Sequence, residues 1–272
     1  MADLTEAAVA ARLRTRRFGR PVVVLDRVGS TNDRAREMAD AGAPEGTAVI
    51  ARVQTAGRGR RGRRWLSPPG GLWMSVVLRP GLPVAQWPLV GFAVALATAD
   101  AAAATAGVRA ALKWPNDVVV GDSKLAGVLV EAAGSAAVAG VGVNANLDVD
   151  ALPAEVRQDA TSLRSLTGSD VDLALLAADV LSRCEEYYDL LHQDPAAVVA
   201  AWRRRSATLG RRVRTGGARE VEGVAEDVDD TGALVIRTAA GRVRVVAGEV
   251  SLRPAPAARE ERPWLRSPTY RE

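Results

Sequence analysis

The chain has 272 residues, 48% of them hydrophobic, with 36 Lys and Arg against 32 Asp and Glu and a formal charge of +4. That is enough for one substantial core and a small second domain, and the basic balance invites an anionic partner. One cysteine, Cys184, and one histidine, His192, exclude an internal disulfide framework and a Cys/His zinc cluster, argue against Ser-His-Asp or Cys-His catalysis, and suit a reducing cytoplasm.

Residues 4 to 17 have helix-forming composition, with Val9 and Leu13 four apart, and Gly19 offers a stop before the strand-like PVVVLDRV. No apolar stretch of signal-peptide type opens the chain. Gly29-Ser30-Thr31-Asn32-Asp33 then leads into RAREMADAG, a helix ending at Gly42 for which Ser30 and Thr31 are capping candidates. TAVIARVQT reads as a strand, AGRGRRGRRWLSPPGG as a long loop, and LWMSVVLRP as the returning strand.

The apolar stretch Val84 to Gly107 is alanine-rich and contains Asp100, so it predicts a buried helix and not a membrane span. VRAALKWPNDVVV and KLAGVLVEAA predict two strands joined at Gly121-Asp122-Ser123, and AAVAGVGVNANL another. Asp148 to Gly168 reads as irregular connection. VDLALLAADVLSRCEEYYDLLHQ and PAAVVAAWRRRSATLG have helical periodicity. Beyond about residue 209 the texture changes to short alternating strands with tight turns at Asp230-Thr231-Gly232 and Gly241, the pattern of a small all-β module. The tail from Ala255 to Glu272 has few core-forming residues and predicts flexibility. Three segments follow: 1–208, 209–254 and 255–272.

Two features carry chemistry. Among 36 cationic residues only Lys113 and Lys124 are lysines, and they lie in one window, KWPNDVVVGDSKLAGVLVE. An ammonium is a compact point charge suited to one phosphate oxygen, where guanidinium is a planar fork. The second feature is Gly57-Arg58-Gly59-Arg60-Arg61-Gly62-Arg63, in which glycines let the backbone approach an anion and arginines offer charge-assisted forks. It lacks the Lys-Ser/Thr of a P-loop and the dinucleotide-binding spacing, and contact with RNA through the arginines competes with a phosphate role. Trp65, just past the loop, can stack on a base or plug the core.

QTAGRGRRGRRW, KWPNDV, SKLAGVLVE, GVGVN and the STN at residues 30 to 32 together resemble biotin–protein ligase, in the family's order and approximate spacing from about residue 25 to residue 250. The resemblance implies an α/β catalytic domain on a mixed sheet, an SH3-like C-terminal β barrel, and a cytoplasmic enzyme. Its substrates would be biotin and ATP, with Mg²⁺. Biotin would be activated as biotinyl-5'-AMP and passed to a lysine of a biotin carboxyl carrier domain, with no nucleic-acid or membrane partner. Some family members carry an N-terminal winged helix, for which only about twenty residues precede the first strand here, so a ligase without a repressor role is expected.

By motif, Ser30, Thr31, Asn32, Gln54, Arg58, Gly59 and Arg60 would meet biotin, with Gly127, Gly140 and Gly142 permitting close backbone approach. Arg58, Arg60, Arg63, Trp65, Lys113, Asn116 and Asn144 would lie around the nucleotide. Lys124 would touch both the biotin carboxylate and the α-phosphate. Arg60 would close over the ligand, and Asp117 would orient the site or assist the incoming lysine. Lys113 is alternatively a structural partner of Asp117 or a nearby carboxylate. A lipoate–protein ligase and a nucleic-acid-binding protein using the arginine loop are the rival readings.

Overall fold

The computed structural model describes residues 4–216, 220–246 and 248–252. The expected flexible tail, 255–272, lies outside the described residues. Seven strands make the larger sheet: β1 (Val22–Val28), β2 (Ala48–Gln54), β3 (Leu72–Leu78), β4 (Ala111–Lys113), β5 (Asp117–Val120), β6 (Ser123–Ala133) and β7 (Ala136–Val143). Their order is β1-β2-β3-β7-β6-β5-β4. Only β1 and β2 run parallel; the other neighbours are antiparallel, so the sheet is mixed.

Helices cover both faces. α1 (Glu6–Ala10) and α2 (Thr31–Asp40) flank β1, and α3 (Pro88–Ala106) follows β3. The short α4 (Ala154–Arg157) and α5 (Leu163–Thr167) precede α6 (Leu173–Gln193) and α7 (Pro195–Arg204). Alternation along the strands sorts side chains between the faces. Ala48, Ile50, Leu72, Met74, Val76 and Leu78 join the main core with α3, α6 and α7. Val49, Val77, Val138 and Ala136 meet Ala35 and Ala39 of α2 in a smaller cluster behind.

α3 is apolar all round because it is buried all round. Pro88 starts it, and Gly107, at φ 67, ends it in the left-handed conformation with its N–H capping the last turn. It is long and apolar enough to cross a membrane, yet 72% of that stretch is buried within the fold, packed on α6 and the sheet.

Four expectations change. The helix foreseen over residues 4 to 17 stops at Ala10, because the N–H groups of Arg16, Arg17 and Phe18 are claimed by the Glu185 carboxylate of α6 at 2.8–2.9 Å. Those three donors outweigh the burial of Glu185 and hold its pKa below the usual carboxylate value. The long strand foreseen across KWPNDVVV is two, β4 and β5, turning at Trp114-Pro115-Asn116, where proline has no N–H to donate to a ladder. The stretch from Asp148 to Gly168 is more ordered than foreseen, holding α4 and α5. The helix foreseen at PAAVVAAWRRRSATLG ends at Arg204, after which Arg205 O and Ala207 N bond to Leu112.

The second sheet is antiparallel, with β8 (Arg212–Gly216), β9 (Glu222–Val228), β10 (Leu234–Thr238), β11 (Gly241–Val245) and β12 (Glu249–Leu252) in the order β11-β10-β9-β8-β12. It is packed directly on the first, since Val213, Ala225, Val228, Leu234 and Ile236 share one core with Leu112 and Trp114. Trp114 is fully enclosed and donates its indole N–H to Gly232 O at 3.0 Å, while its backbone N–H reaches Thr208 Oγ1 at 2.9 Å. Truncating an enclosed tryptophan costs about 3–5 kcal/mol, so this one side chain does much to seat the module.

Candidate functional site

A cleft of about 810 Å³ opens on the α2 face of the large sheet, in the size range of small-molecule sites. All of the sequence-derived candidates line it: Ser30, Thr31, Asn32, Gln54, Arg58, Gly59, Arg60, Arg63, Trp65, Lys113, Asn116, Asp117, Lys124, Gly127, Gly140, Gly142 and Asn144. Residues far apart in the chain meet there because α2, the 57–65 loop and the β5–β6 hairpin converge on strand β7.

At one end the start of α2 supplies uncharged polar groups. Ser30 occupies the N-cap position, but its hydroxyl makes no capping bond. The first-turn donor is met from a distance, as the Thr31 N–H bonds Gln54 Oε1 at 2.8 Å. The Thr31 hydroxyl also lies 3.0 Å from Gln54 Oε1, and Gln54 Nε2 donates to Ser67 at 2.8 Å. Asn32 donates to Glu131 Oε2 at 2.7 Å, and its Oδ1 receives Ser75 Oγ at 2.6 Å. Ser30 thus holds the N-cap position without capping through its side chain, and its hydroxyl stands at the cleft wall.

The floor is glycine. A Cβ on Gly140 would stand 2.2 Å from Asn32 Oδ1, and one on Gly142 would stand 2.6 Å from Trp65 Nε1. Gly127, opposite Gly142 in the ladder, would press Trp65 and Lys124. At these glycines the protein's own Asn32, Trp65 and Lys124 side chains approach the backbone closely. Trp65 lies on this floor, edge-on to Trp73 at 6.4 Å between ring centroids, with Lys124 Nζ 4.9 Å from its ring centroid. Its indole N–H is buried against Gly142 without a hydrogen-bond partner among the described residues.

At the other end Lys124 projects from β6. Its backbone is fixed on both sides, by N–H to Asp159 O at 2.6 Å and by Thr161 N–H to its own carbonyl at 3.0 Å. Asn144 Nδ2 adds bonds to Lys124 O and Thr161 O, so this asparagine braces the lysine's backbone. Asn116 similarly bonds Val128 O at 2.6 Å and tightens the β5–β6 pair. Lys124 Nζ stands 2.6 Å from Asp117 Oδ1, both side chains partly exposed, in an ion pair bent away from hydrogen-bond geometry. Lys113 is opposite Asp117 in the ladder but does not pair with it; Asp117 belongs to Lys124. Lys113 makes no ion pair among the described residues and acts electrostatically on Asp122, whose carboxyl Arg211 holds below its usual range, with Lys113 adding to the effect.

The glycine-arginine loop is a tight hairpin, with Gly59 N–H on Arg63 O at 2.7 Å and Trp65 N–H on Gly57 O at 2.9 Å. Arg58 faces two carboxylates: NH1 sits 2.5 and 2.6 Å from the oxygens of Asp33, and NH2 is 2.9 Å from Glu131. The Asp33 bond, with Glu131 and against burial, raises the guanidinium's pKa further. Arg60 NH1 reaches Gly248 O at 3.2 Å and Arg61 NH1 reaches Gly216 O at 3.1 Å, so the loop tip rests on the C-terminal sheet.

Sequence reasoning missed one wall, formed by Leu152, Glu155, Val156, Asp159 and Ala160 from the stretch read as irregular connection, and the rim residues Asp122 and Arg211. The wall is attached through backbone bonds to Lys124, which leave no side-chain pattern. It also missed Ser75 and Glu131, which brace the uncharged end from behind; a serine inside the apolar strand LWMSVVL was the available signal.

An uncharged hydrogen-bonding end and a cationic end within one cleft suit a ligand pair with a neutral polar head and a phosphate. The model of the Biotin/lipoate A/B protein ligase family matches residues 24–148, and that of the biotin protein ligase C-terminal domain matches residues 208–253. A biotin--[acetyl-CoA-carboxylase] ligase of Paracoccus denitrificans is 40% identical over 69% of this chain and 81% of its own, and that of Mycobacterium tuberculosis 38% over 72% and 74%. The bifunctional ligase/repressor BirA of Bacillus spizizenii is 36% identical, but the match spans only 59% of its length. Among solved structures, a biotin protein ligase from Aquifex aeolicus in complex with biotin and ATP superposes with a TM-score of 0.78 at 31% identity, covering 85% of this chain and 98% of that one. From two matched domains, the shared fold and relatives aligned over most of their length, it follows that this chain belongs to the biotin protein ligase family.

Proposed function

We propose that this protein is a cytoplasmic ligase that joins biotin to ATP as biotinyl-5'-AMP and transfers the biotinyl group to a lysine of a carboxylase's biotin carboxyl carrier domain. Residues 1–208 would form the catalytic unit and 209–254 the C-terminal unit. The carrying observation is that Thr31, Asn32 and Gln54 open into the same cleft as Lys124, so a neutral cyclic urea and a carboxylate on one ligand can be met together.

In the first step a biotin carboxylate oxygen bonds to the α-phosphorus and pyrophosphate leaves with the bridging oxygen. Both reactants are anions, so catalysis here is placement and positive charge. Lys124, held by its backbone on both sides, is the ammonium for the point where the carboxylate and α-phosphate meet. Arg60 and Arg63 supply further charge, and Trp65 a flat surface beside Lys124. In the second step the carrier's neutral amine attacks the mixed anhydride, AMP departs, and the amine's proton must be taken up; Asp117, beside Lys124, is the carboxylate positioned for it.

For Mg²⁺ the donor set fits a phosphate-borne ion better than a protein cage. No group of three potential ligands gathers among the described residues, while Asp117, Asp122, Glu155 and Asp159 line the cleft singly. Bound with ATP it would draw charge from the leaving pyrophosphate.

Two features weigh against the rivals. A dithiolane ring, as in lipoate, has no N–H to offer Thr31 and Asn32, and Arg58 is turned onto Asp33 and Glu131 instead of being free for nucleic acid. The test is pyrophosphate release with ATP, Mg²⁺ and either biotin or lipoate, followed by labelling of a carrier domain. Release with lipoate and not biotin would overturn the reading.

A further inference from the structure

Ser75 lies in β3, fully buried, behind the uncharged end of the cleft and not on its surface. Its hydroxyl is 2.6 Å from Asn32 Oδ1 and 2.7 Å from Thr31 Oγ1. The two amide orientations around it are forced from outside. Glu131 Oε2 receives Arg58 NH2 as well as Asn32, so the Asn32 amide turns its NH₂ toward it, which puts Oδ1 toward Ser75. The backbone N–H of Thr31 can only donate, so Gln54 must present Oε1 to it and its NH₂ to Ser67. The Thr31 hydroxyl hydrogen has two acceptors in reach, Gln54 Oε1 at 3.0 Å and Ser75 Oγ at 2.7 Å.

A serine hydroxyl has one hydrogen, and Asn32 Oδ1, held toward it by the Glu131 bond on the other side of the amide, is the acceptor it serves at 2.6 Å. Thr31 then gives its own hydroxyl hydrogen to Gln54 Oε1 or to Ser75 Oγ and keeps a lone pair for a ligand. On either route Thr31 Oγ1 is left as an acceptor at the cleft wall. We infer that Ser75 is a positioning residue that sets the polarity of this end of the cleft, so that it selects a ligand head bearing N–H donors. The inference rests on the biotin reading and deepens it: a cyclic urea offers an N–H to this acceptor, and a dithiolane offers none.

The experiment measures biotin, desthiobiotin and lipoate binding by calorimetry, and steady-state kinetics for ATP, in wild type, Ser75→Ala and the nearly isosteric Ser75→Cys. Ser75→Ala is expected to raise the Kd of biotin and of desthiobiotin, which keeps the urea, about tenfold, equivalent to about 1.4 kcal/mol. Lipoate binding should not weaken, and kcat at saturating biotin and KM for ATP should stay within about twofold. Ser75→Cys, a weaker donor of similar shape, should fall between, and it carries the test if the alanine variant does not fold. A folded variant whose biotin Kd stays within about twofold of wild type overturns the inference, as does an equal loss for lipoate or a parallel decline in kcat, KM for ATP and thermal midpoint. Failure of the wild type itself to bind biotin would instead remove the underlying ligase reading.

Discussion

Thr31, Asn32 and Gln54 are almost fully enclosed or bonded to partners that are, through a chain of hydrogen bonds running from Glu131 to Ser67. Lys124 and Arg60, at the other end of the same cleft, are partly exposed and held by a carboxylate and by a carbonyl of the C-terminal unit. The first arrangement is a fixed mould whose shape exists before any ligand arrives. The second is a set of charges whose present partners, Asp117 and the Gly248 carbonyl, a phosphate can replace. A site that must recognise one head group but carry an anion through bond making and breaking gains from rigidity at the first end and exchangeable partners at the second.

The largest test of that contrast is Lys124→Ala. Its fold should survive, because the braces on this residue are backbone bonds, while pyrophosphate release should fall on the order of 10² or more, as for loss of one transition-state donor. Biotin binding without ATP should change far less, and an equal loss of both would erase the distinction between the ends. Lys113→Ala, measured beside it, should show the smaller loss.

At the rigid end, Gly140→Ala would push a methyl onto Asn32 Oδ1. Overpacking of this kind costs about 1–3 kcal/mol, so biotin KM should rise about tenfold or more with kcat nearly kept. An unchanged KM would mean that the mould yields, and that rigidity is not what distinguishes it.

Arg60→Gly should act on retention. Removing the side chain that spans from the loop to Gly248 O leaves Lys124 in place, so adenylate should form at a reduced rate but escape several-fold faster. The measurement is intermediate dissociation, with biotin label on an unrelated lysine-rich protein as the companion readout. Dissociation as slow as in wild type would reassign Arg60 to substrate capture.

The smallest effect on the cleft is expected from the C-terminal sheet. Burial works to raise the Asp229 pKa, but Arg244, the Thr231 hydroxyl and the amides of Thr231 and Ala233 outweigh it and hold the carboxyl at about 2, below its ordinary 3.8. A depressed pKa contributes stability that is fully present above about pH 4 and lost as pH falls through about 2. Asp229→Asn should therefore lower stability by about 1–2 kcal/mol at pH 7, a gap that closes below pH 4. Urea midpoints at pH 7 and pH 3 check it. If the variant binds biotin more weakly at pH 7 while folded, the rigid end depends on the C-terminal sheet after all.

Much of the site was legible in advance because its residues sit in short local motifs: STN at a helix start, GRGRRG in a loop, the two lysines in one hairpin. All of these reach the cleft. Their roles were less legible. Asn116 and Asn144, expected around the nucleotide, line the cleft and also brace β6 and the Lys124 backbone, and the site glycines make room for Asn32 and Trp65. Ser75, Glu131 and the Glu155–Ala160 wall act through contacts with residues far away in the chain, which no local pattern encodes.

By itself the sequence determined the element types, the division into a larger α/β unit and a small β unit, and the chemistry available, since periodicity, turn residues and side-chain type are properties of neighbours along the chain. Only the tertiary structure decided which cation meets which carboxylate. Lys113 is the ladder partner of Asp117, yet Lys124 takes it. Likewise Arg16 and Arg17 leave the helix expected for them because Glu185, about 170 positions on, offers their N–H groups a charged acceptor. Pairing of this kind depends on where strands and helices come to rest, and that is set by burial of apolar faces across the whole molecule.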